Sequence, residues 1–168
     1  MSLAWSTPNT ASAGGVISAY AYNTYVRDNL NYLLQRPSAQ IIYAGASDRL
    51  TNSGNWDVID ATNLTLNLTL ANTRALIMAT FWATVDNASG NYGAFDILID
   101  GTTRIGGTNG LVRFPLSVGS NPVTLIGYAI NLPLGAHTFQ IVAKSSVAGI
   151  NTTVLNNGLP ITLMGFEV

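Results

Sequence analysis

The sequence contains no cysteine, one histidine, one lysine and one glutamate. Without cysteine there are no disulfides, no zinc–thiolate centres and no thiol nucleophiles. Charged residues make up only 9% of the chain, far below the usual quarter. Seven Lys and Arg against eight Asp and Glu give a net charge of −1, which denies nucleic acid the basic footprint it requires. No apolar run reaches the ~20 residues of a membrane-spanning helix, so no membrane partner is expected. The opening residues M-S-L-A-W-S-T-P-N-T lack a basic n-region and an apolar h-region, so synthesis in a cytoplasm without a secretory signal is expected. G-x-S-x-G, P-loop and dinucleotide fingerprints are all missing.

What the chain does have is a core. Hydrophobic residues amount to 48% of 168, enough for one domain with an appendage and too many for a disordered chain. The polar surface is left to Thr, Ser and 17 asparagines. Uncharged amides and hydroxyls keep a surface soluble without strong attraction to any charged partner.

One long helix is predicted, from Ser18 to Pro37. The Ser18 hydroxyl is placed to cap its first turn, and Pro37 stops it. Ala19, Tyr22, Val26, Leu30 and Leu33 recur three or four apart as one apolar stripe. A lone helix of this length is marginal in water and needs a partner. That partner is either the chain's own domain or another molecule, in which case the helix is a stalk or tether. Arg27 and Asp28 are the polar pair placed to fix its register or docking. Residues 1–17, with Trp5, Thr7-Pro8 and Gly14-Gly15, read as an extended arm. Trp5 docks either on a neighbour or back on its own domain.

After Pro37 the period changes to two. Leu64, Leu66, Leu68 and Leu70 alternate with polar residues, as do Phe139, Ile141 and Ala143. Phe95, Ile97 and Ile99 lead into Asp100-Gly101, a hairpin turn signal. Further strands are expected near 40–46, 56–60, 111–118, 122–131 and the terminal I-T-L-M-G-F-E-V. Asn, Gly and Pro clusters, among them Gly119-Ser120-Asn121-Pro122, punctuate them. Eight or more short strands predict an all-β antiparallel sandwich or jelly roll. The boundary falls at 37: residues 1–37 form arm and helix, residues 38–168 the head.

Two strands are apolar on both faces. In 75–85, Leu76, Met78 and Trp82 oppose a second apolar row; in 123–130, Ile126, Tyr128 and Ile130 do the same. An antiparallel sheet normally wets one face. The doubled rows predict a subunit interface at Leu76, Met78 and Trp82, the alternative being a thick core or cover by the helix.

Candidate chemistry is sparse. His137, in L-G-A-H-T-F, reads as a structural hydrogen-bonding group, because no acid or nucleophile is tied to it by a motif. Asp48, Asp57 and Asp60 form one oxygen-rich group; Asp86, Asn87, Asn91 and Asp96 form another. Neither has EF-hand spacing, and Asx residues belong in turns. No metal, cofactor or catalytic residue is assigned. Trp56 and Tyr92 are the candidate stacking platforms for a glycan.

The segment Trp5, Thr7-Pro8, Thr10, Gly14, Val16-Ile17-Ser18-Ala19, Asn23 and Val26-Arg27-Asp28-Asn29-Leu30 resembles one common in structural proteins of tailed bacteriophages and prophages, with Gly15 where that family has an acid. The I-L-I-D-G hairpin and L-G-A-H-T-F look like the jelly-roll heads of such proteins, which are similar in build to trimeric heads of the tumour-necrosis-factor and complement type. The resemblance implies a homotrimeric, non-enzymatic virion protein joined to other virion proteins of capsid, neck or tail. Trp5, Pro8, Tyr22, Val26, Arg27, Asp28, Leu30 and Leu33 would then carry attachment or oligomerisation. The alternative function is a receptor- or carbohydrate-binding module that engages a host surface glycan through the head loops.

Overall fold

A strand whose leucines alternate with threonine and asparagine buries one face and wets the other. The computed structural model of the chain describes Thr7 and residues 18–45, 47–86, 91–115, 117–155 and 158–168, and in it that alternation runs through two packed antiparallel sheets. The fold is all-β, a sandwich of jelly-roll type with one interrupted helix ahead of it. The first sheet runs β1 (Ser38–Tyr43), β12 (Ile161–Glu167), β5 (Ala75–Val85), β11 (Thr152–Leu155), β2 (Arg49–Thr51), and β9 (Ser117–Ala129) pairs the other edge of β5. The second centres on β10 (Gly135–Ser145). Both β3 (Asp57–Val58) and β4 (Thr65–Leu70) pair one edge of β10, and β6 (Tyr92–Ile99) pairs the other. The short β7 (Thr103–Arg104) and β8 (Val112–Pro115) extend β6.

Between the sheets lie Leu64, Leu66 and Leu68 of the β4 region, Ile77 and Phe81 of β5, Phe95 and Ile97 of β6, and Phe139 and Ile141 of β10. Phe81 and Phe95 meet edge to face, centroids 5.1 Å apart. Each such side chain contributes about 1.5–3 kcal/mol on burial. The Asp100-Gly101 turn forms as the sequence predicts. Both residues have positive φ, 49° and 67°, and Thr102 N–H donates to the Ile99 carbonyl at 3.0 Å, the primed turn that matches strand twist.

Three short strands escape the sequence reading, β2, β7 and β11, each of two to four residues. One predicted turn is corrected. Gly119-Ser120-Asn121-Pro122 does not break the chain but runs inside β9, where Pro122 pairs with Trp82. β9 has β5 as its one partner, so a proline without an N–H is tolerated on that edge. The slip in register between Ala83 and Val85 absorbs the irregularity.

Asp60 fastens the start of β4. Its carboxylate accepts from Arg49 Nε at 2.7 Å and from the Thr62 and Asn63 N–H groups at 3.1 and 3.0 Å. Burial alone would raise its pKa; the bonds from Asn63 and Arg49 outweigh that and bring it down from 3.8 to about 2. A depressed carboxylate stabilises fully above 3.8 and loses that contribution as pH falls through about 2. Asp60→Asn should therefore cost about 2 kcal/mol at neutral pH. In urea unfolding series the gap from the parent should close between pH 4 and roughly pH 2.

Candidate attachment and assembly surfaces

The helix begins as predicted. Ser18 Oγ accepts from Ala21 N–H at 3.1 Å. It then runs through α1 (Ala19–Tyr22), a π-helical turn (Asn23–Arg27) and α2 (Asp28–Leu34), and Gln35 leaves helical geometry two residues before Pro37. A π-turn takes up one extra residue, so the turns beyond it are rotated by about 100° relative to an unbroken α-helix. None of the members of the expected stripe, Ala19, Tyr22, Val26, Leu30 and Leu33, is buried. That corrects the reading in which the stripe packs on the chain's own domain. Tyr22, Val26, Leu30 and Leu33 are all exposed, Leu30 by 54%. Trp5 and Pro8 lie outside the described residues.

The face that is buried carries Asn29 and Tyr32, 3% and 5% exposed. Asn29 Nδ2 donates to the Tyr25 carbonyl at 3.2 Å, across the end of the π-turn. The Tyr32 hydroxyl donates to Glu167, the only glutamate, itself 1% exposed. The same carboxylate accepts from the Ala71 N–H and, at 2.9 Å, the Asn72 N–H, while Glu167 N–H donates to the Pro37 carbonyl at 2.9 Å. Burial, and next the Glu167 carboxylate, push the Tyr32 phenol up to about 12. Arg27 and Asp28 pair with each other, Nε to Oδ1 at 3.0 Å, on the surface, a contact of about 0–1 kcal/mol.

The predicted interface residues share one surface. On β5 the inward row Ala75, Ile77, Ala79, Phe81, Ala83 and Val85 is buried, while Leu76, Met78 and Trp82 point away from the core. Register places Leu76 between Tyr128 and Phe166, and Met78 between Ile126 and Met164. Ile126 is 58% exposed and Tyr128 51%. Neither the helix nor any other described element of this chain covers these rows. Among the described residues, the outward positions of β1, β5, β9 and β12 are Ser, Gln, Thr, Pro or apolar, with no charge among them.

Elsewhere the candidates resolve into local structure. Asp57 accepts from Thr51 Oγ1, Asp60 holds Arg49, and Asp86 accepts from Asn151 Nδ2. Asp96 sits fully buried under the 105–111 loop, accepting from Ile97 N–H at 2.7 Å and Gly106 N–H at 2.9 Å, with Arg104 Nε 3.8 Å from its other oxygen. Burial raises its pKa. A side chain at Gly106 would overlap the Gly110 backbone, so the close loop needs glycine there. Asn87 is outside the described residues, and among those described no three acids or histidines gather as a metal site. Arg104 and Lys144 lie over the Trp56 ring at 4.9 and 4.8 Å, and Arg113 over Tyr92 at 4.8 Å. Both candidate stacking platforms are thus engaged by the chain's own cations.

Sequence reasoning missed Glu167 and Asp96 as buried acids. The signal for Glu167 was its parity with Ile161, Leu163 and Gly165, the inward row of β12. Asp96 has outward parity and is buried by a loop that no periodicity announces.

No family model and no curated protein matches the sequence. Among solved structures, the chain is similar to the D431N mutant VP2 protein of infectious bursal disease virus in derived T=1 particles, at 16% identity and TM-score 0.41, over 79% of this chain and 36% of that one. The structure of the Gx strain of that virus gives 16% and 0.41, over 79% and 37%. A family two carbohydrate esterase from Cellvibrio japonicus gives 13% and 0.30, over 79% and 36%. The chain spans little more than a third of the length of each.

Tyr32→Phe removes a hydrogen bond to a buried carboxylate, worth about 1.5–3 kcal/mol. Amide exchange should quicken across α2, notably at Gln35 N–H, which donates to Asn31, while amides of β5 and β10 keep their protection. Unchanged exchange in α2 would show that the helix is held by something other than Tyr32.

Proposed function

We propose that this chain is a non-enzymatic virion structural protein of a tailed phage, attached to the particle by residues 1–37 and exposing residues 38–168 as a trimeric head. The observation that carries the reading is the pair of apolar surfaces left open by the fold: the Tyr22–Leu33 side of the helix and the uncharged outer face of the first sheet. On that face Leu76 and Met78, with Tyr128, Ile126, Phe166 and Met164 beside them in register, form a contiguous apolar group across three strands. A face without charge meets a copy of itself around a symmetry axis with no like-charge repulsion and no ion to desolvate. The resemblance of the Trp5–Leu30 segment to phage structural proteins supports the virion, and that of the I-L-I-D-G and L-G-A-H-T-F head to trimeric jelly-roll heads supports the trimer.

Light scattering tests the assembly: the expected mass is three times the 17.7 kDa of the chain, and a monomer at micromolar concentration would overturn it. Met78→Asp or Trp82→Asp should disperse the subunits without unfolding them, because both side chains face outward and the carboxylate is buried only on association. Val26→Asp with Leu30→Asp should likewise leave the head folded and abolish co-sedimentation with particles lacking the native copy. If that variant still joins particles, attachment lies in the sandwich. Adhesion of the isolated head to host cells or glycans would instead place function in the head loops.

A further inference from the structure

Asp100 and Pro133 stand on opposite walls of a cleft of about 430 Å3, one wall formed by residues from Ile99 to Ile105 and the other by residues from Tyr128 to Pro133. His137, the only histidine and 5% exposed, joins the two. Its Nδ1 lies 2.7 Å from Asp100 Oδ2 and its Nε2 2.8 Å from the Pro133 carbonyl. A carbonyl carries no hydrogen, and Asp100 is a carboxylate: burial would raise its pKa, but the Thr138 N–H, 2.8 Å from its other oxygen, and His137 hold it below 3.8. A neutral imidazole has one N–H and would leave two lone pairs facing each other at one contact. Only the imidazolium makes both bonds. We propose that His137 is a charge-operated clamp: protonated, it fastens the connection before β10 to the Asp100 turn and holds the cleft walls together, and on losing its proton it releases that connection.

Asp100 is the charged group that faces the ring. The register neighbour on β4 is Leu68 and the ring neighbour on β10 is Phe139, both apolar; Arg104 is the other charged residue on the cleft wall. Burial alone would lower the His137 pKa, but the Pro133 carbonyl and the Asp100 carboxylate outweigh it and hold the ring above 6.5. Burial would raise Asp100, yet the Thr138 N–H and His137 bring it below 3.8, so the proton resides on the ring. With a raised folded pKa the clamp is fully present below 6.5 and is lost as pH climbs through the folded value. The connection that would be freed leads from Tyr128 and Ile130, on the exposed face of the first sheet.

A single histidine makes the test direct. Nitrogen-15 NMR of the full chain should show both ring nitrogens protonated at pH 6.5, with a midpoint above that value. Leu132 N–H donates to the Thr73 carbonyl at 3.0 Å and reports on the connection. Its protection, corrected for the intrinsic pH dependence of exchange, should fall as pH passes the histidine midpoint. His137→Gln should show low Leu132 protection at every pH. Should that variant not fold, Asp100→Asn serves, since asparagine tolerates the positive φ of 49° at this position; its histidine midpoint should drop and Leu132 should lose protection at a correspondingly lower pH. A ring that is neutral at pH 6.5, or Leu132 protection equal on both sides of the midpoint, overturns the clamp.

Discussion

One carboxylate decides where the two parts of this chain meet. Glu167 takes the Tyr32 hydroxyl from the helix and two backbone N–H groups from the β4–β5 corner, and its own N–H holds the Pro37 carbonyl at the entry to β1. Three segments far apart in sequence, residues 32–37, the 71–72 corner and the end of β12, are thereby fixed at one point. A buried unpaired carboxylate would cost several kcal/mol, and each charge-assisted bond offsets part of it. The geometry works because Glu167 occupies the last inward position of β12, at the rim of the sandwich, where helix and corner can both reach it.

The sandwich has its strand density on β5 and β10, each flanked on both edges, and the charge of the molecule is distributed around that fact. Arg49, Asp57 and Asp60 cluster where β2 and β3 close the end of the sandwich; Asp96, Arg104, Arg113 and Lys144 belong to the second sheet and its covering loop. The outer face of the first sheet receives none. In a chain with 9% charged residues such partition requires few substitutions, yet it leaves Ile126, Tyr128, Leu76, Met78 and Phe166 in one uninterrupted group. Isolated exposed apolar residues are ordinary; a contiguous group across three hydrogen-bonded strands is not.

Period-two alternation made the strands readable, because burial of one face writes itself into every second residue. It gave β4, β5, β6 and β10 with their inward rows and β12 as a closing strand, and Asp100-Gly101 gave its turn through a φ that few residues adopt. Strands of two to four residues, such as β2 and β7, are too short to show a period and exist because a neighbour supplies their hydrogen bonds. The proline and glycine of 119–122 looked like a turn for the same reason that they are tolerated: both are compatible with an edge that forms bonds on one side only. The helix boundaries were legible from Ser18 and Pro37, but the π-turn was not. A stripe drawn at 3.6 residues per turn assumes a continuous ladder, and one extra residue at Asn23–Arg27 turns Leu33 away from the line of Tyr22 while Leu30 stays close to it.

That rotation has a structural purpose readable from the residues on either side. In an unbroken helix, the face holding Tyr32 against Glu167 would continue toward Tyr25 and Tyr22 at steps of three or four. With the π-turn interposed, Tyr32 and Asn29 face the head while Tyr22 and Val26 turn outward on a different azimuth. Both halves present apolar side chains to solvent, Tyr22 and Val26 before the end of the π-turn and Leu30, Leu33 and Leu34 after it, while Asn29 and Tyr32 are buried. Tyr32 and Leu33 are adjacent in sequence, yet one is buried on Glu167 and the other exposed, so a single turn both holds the helix to the sandwich and leaves an apolar side chain open.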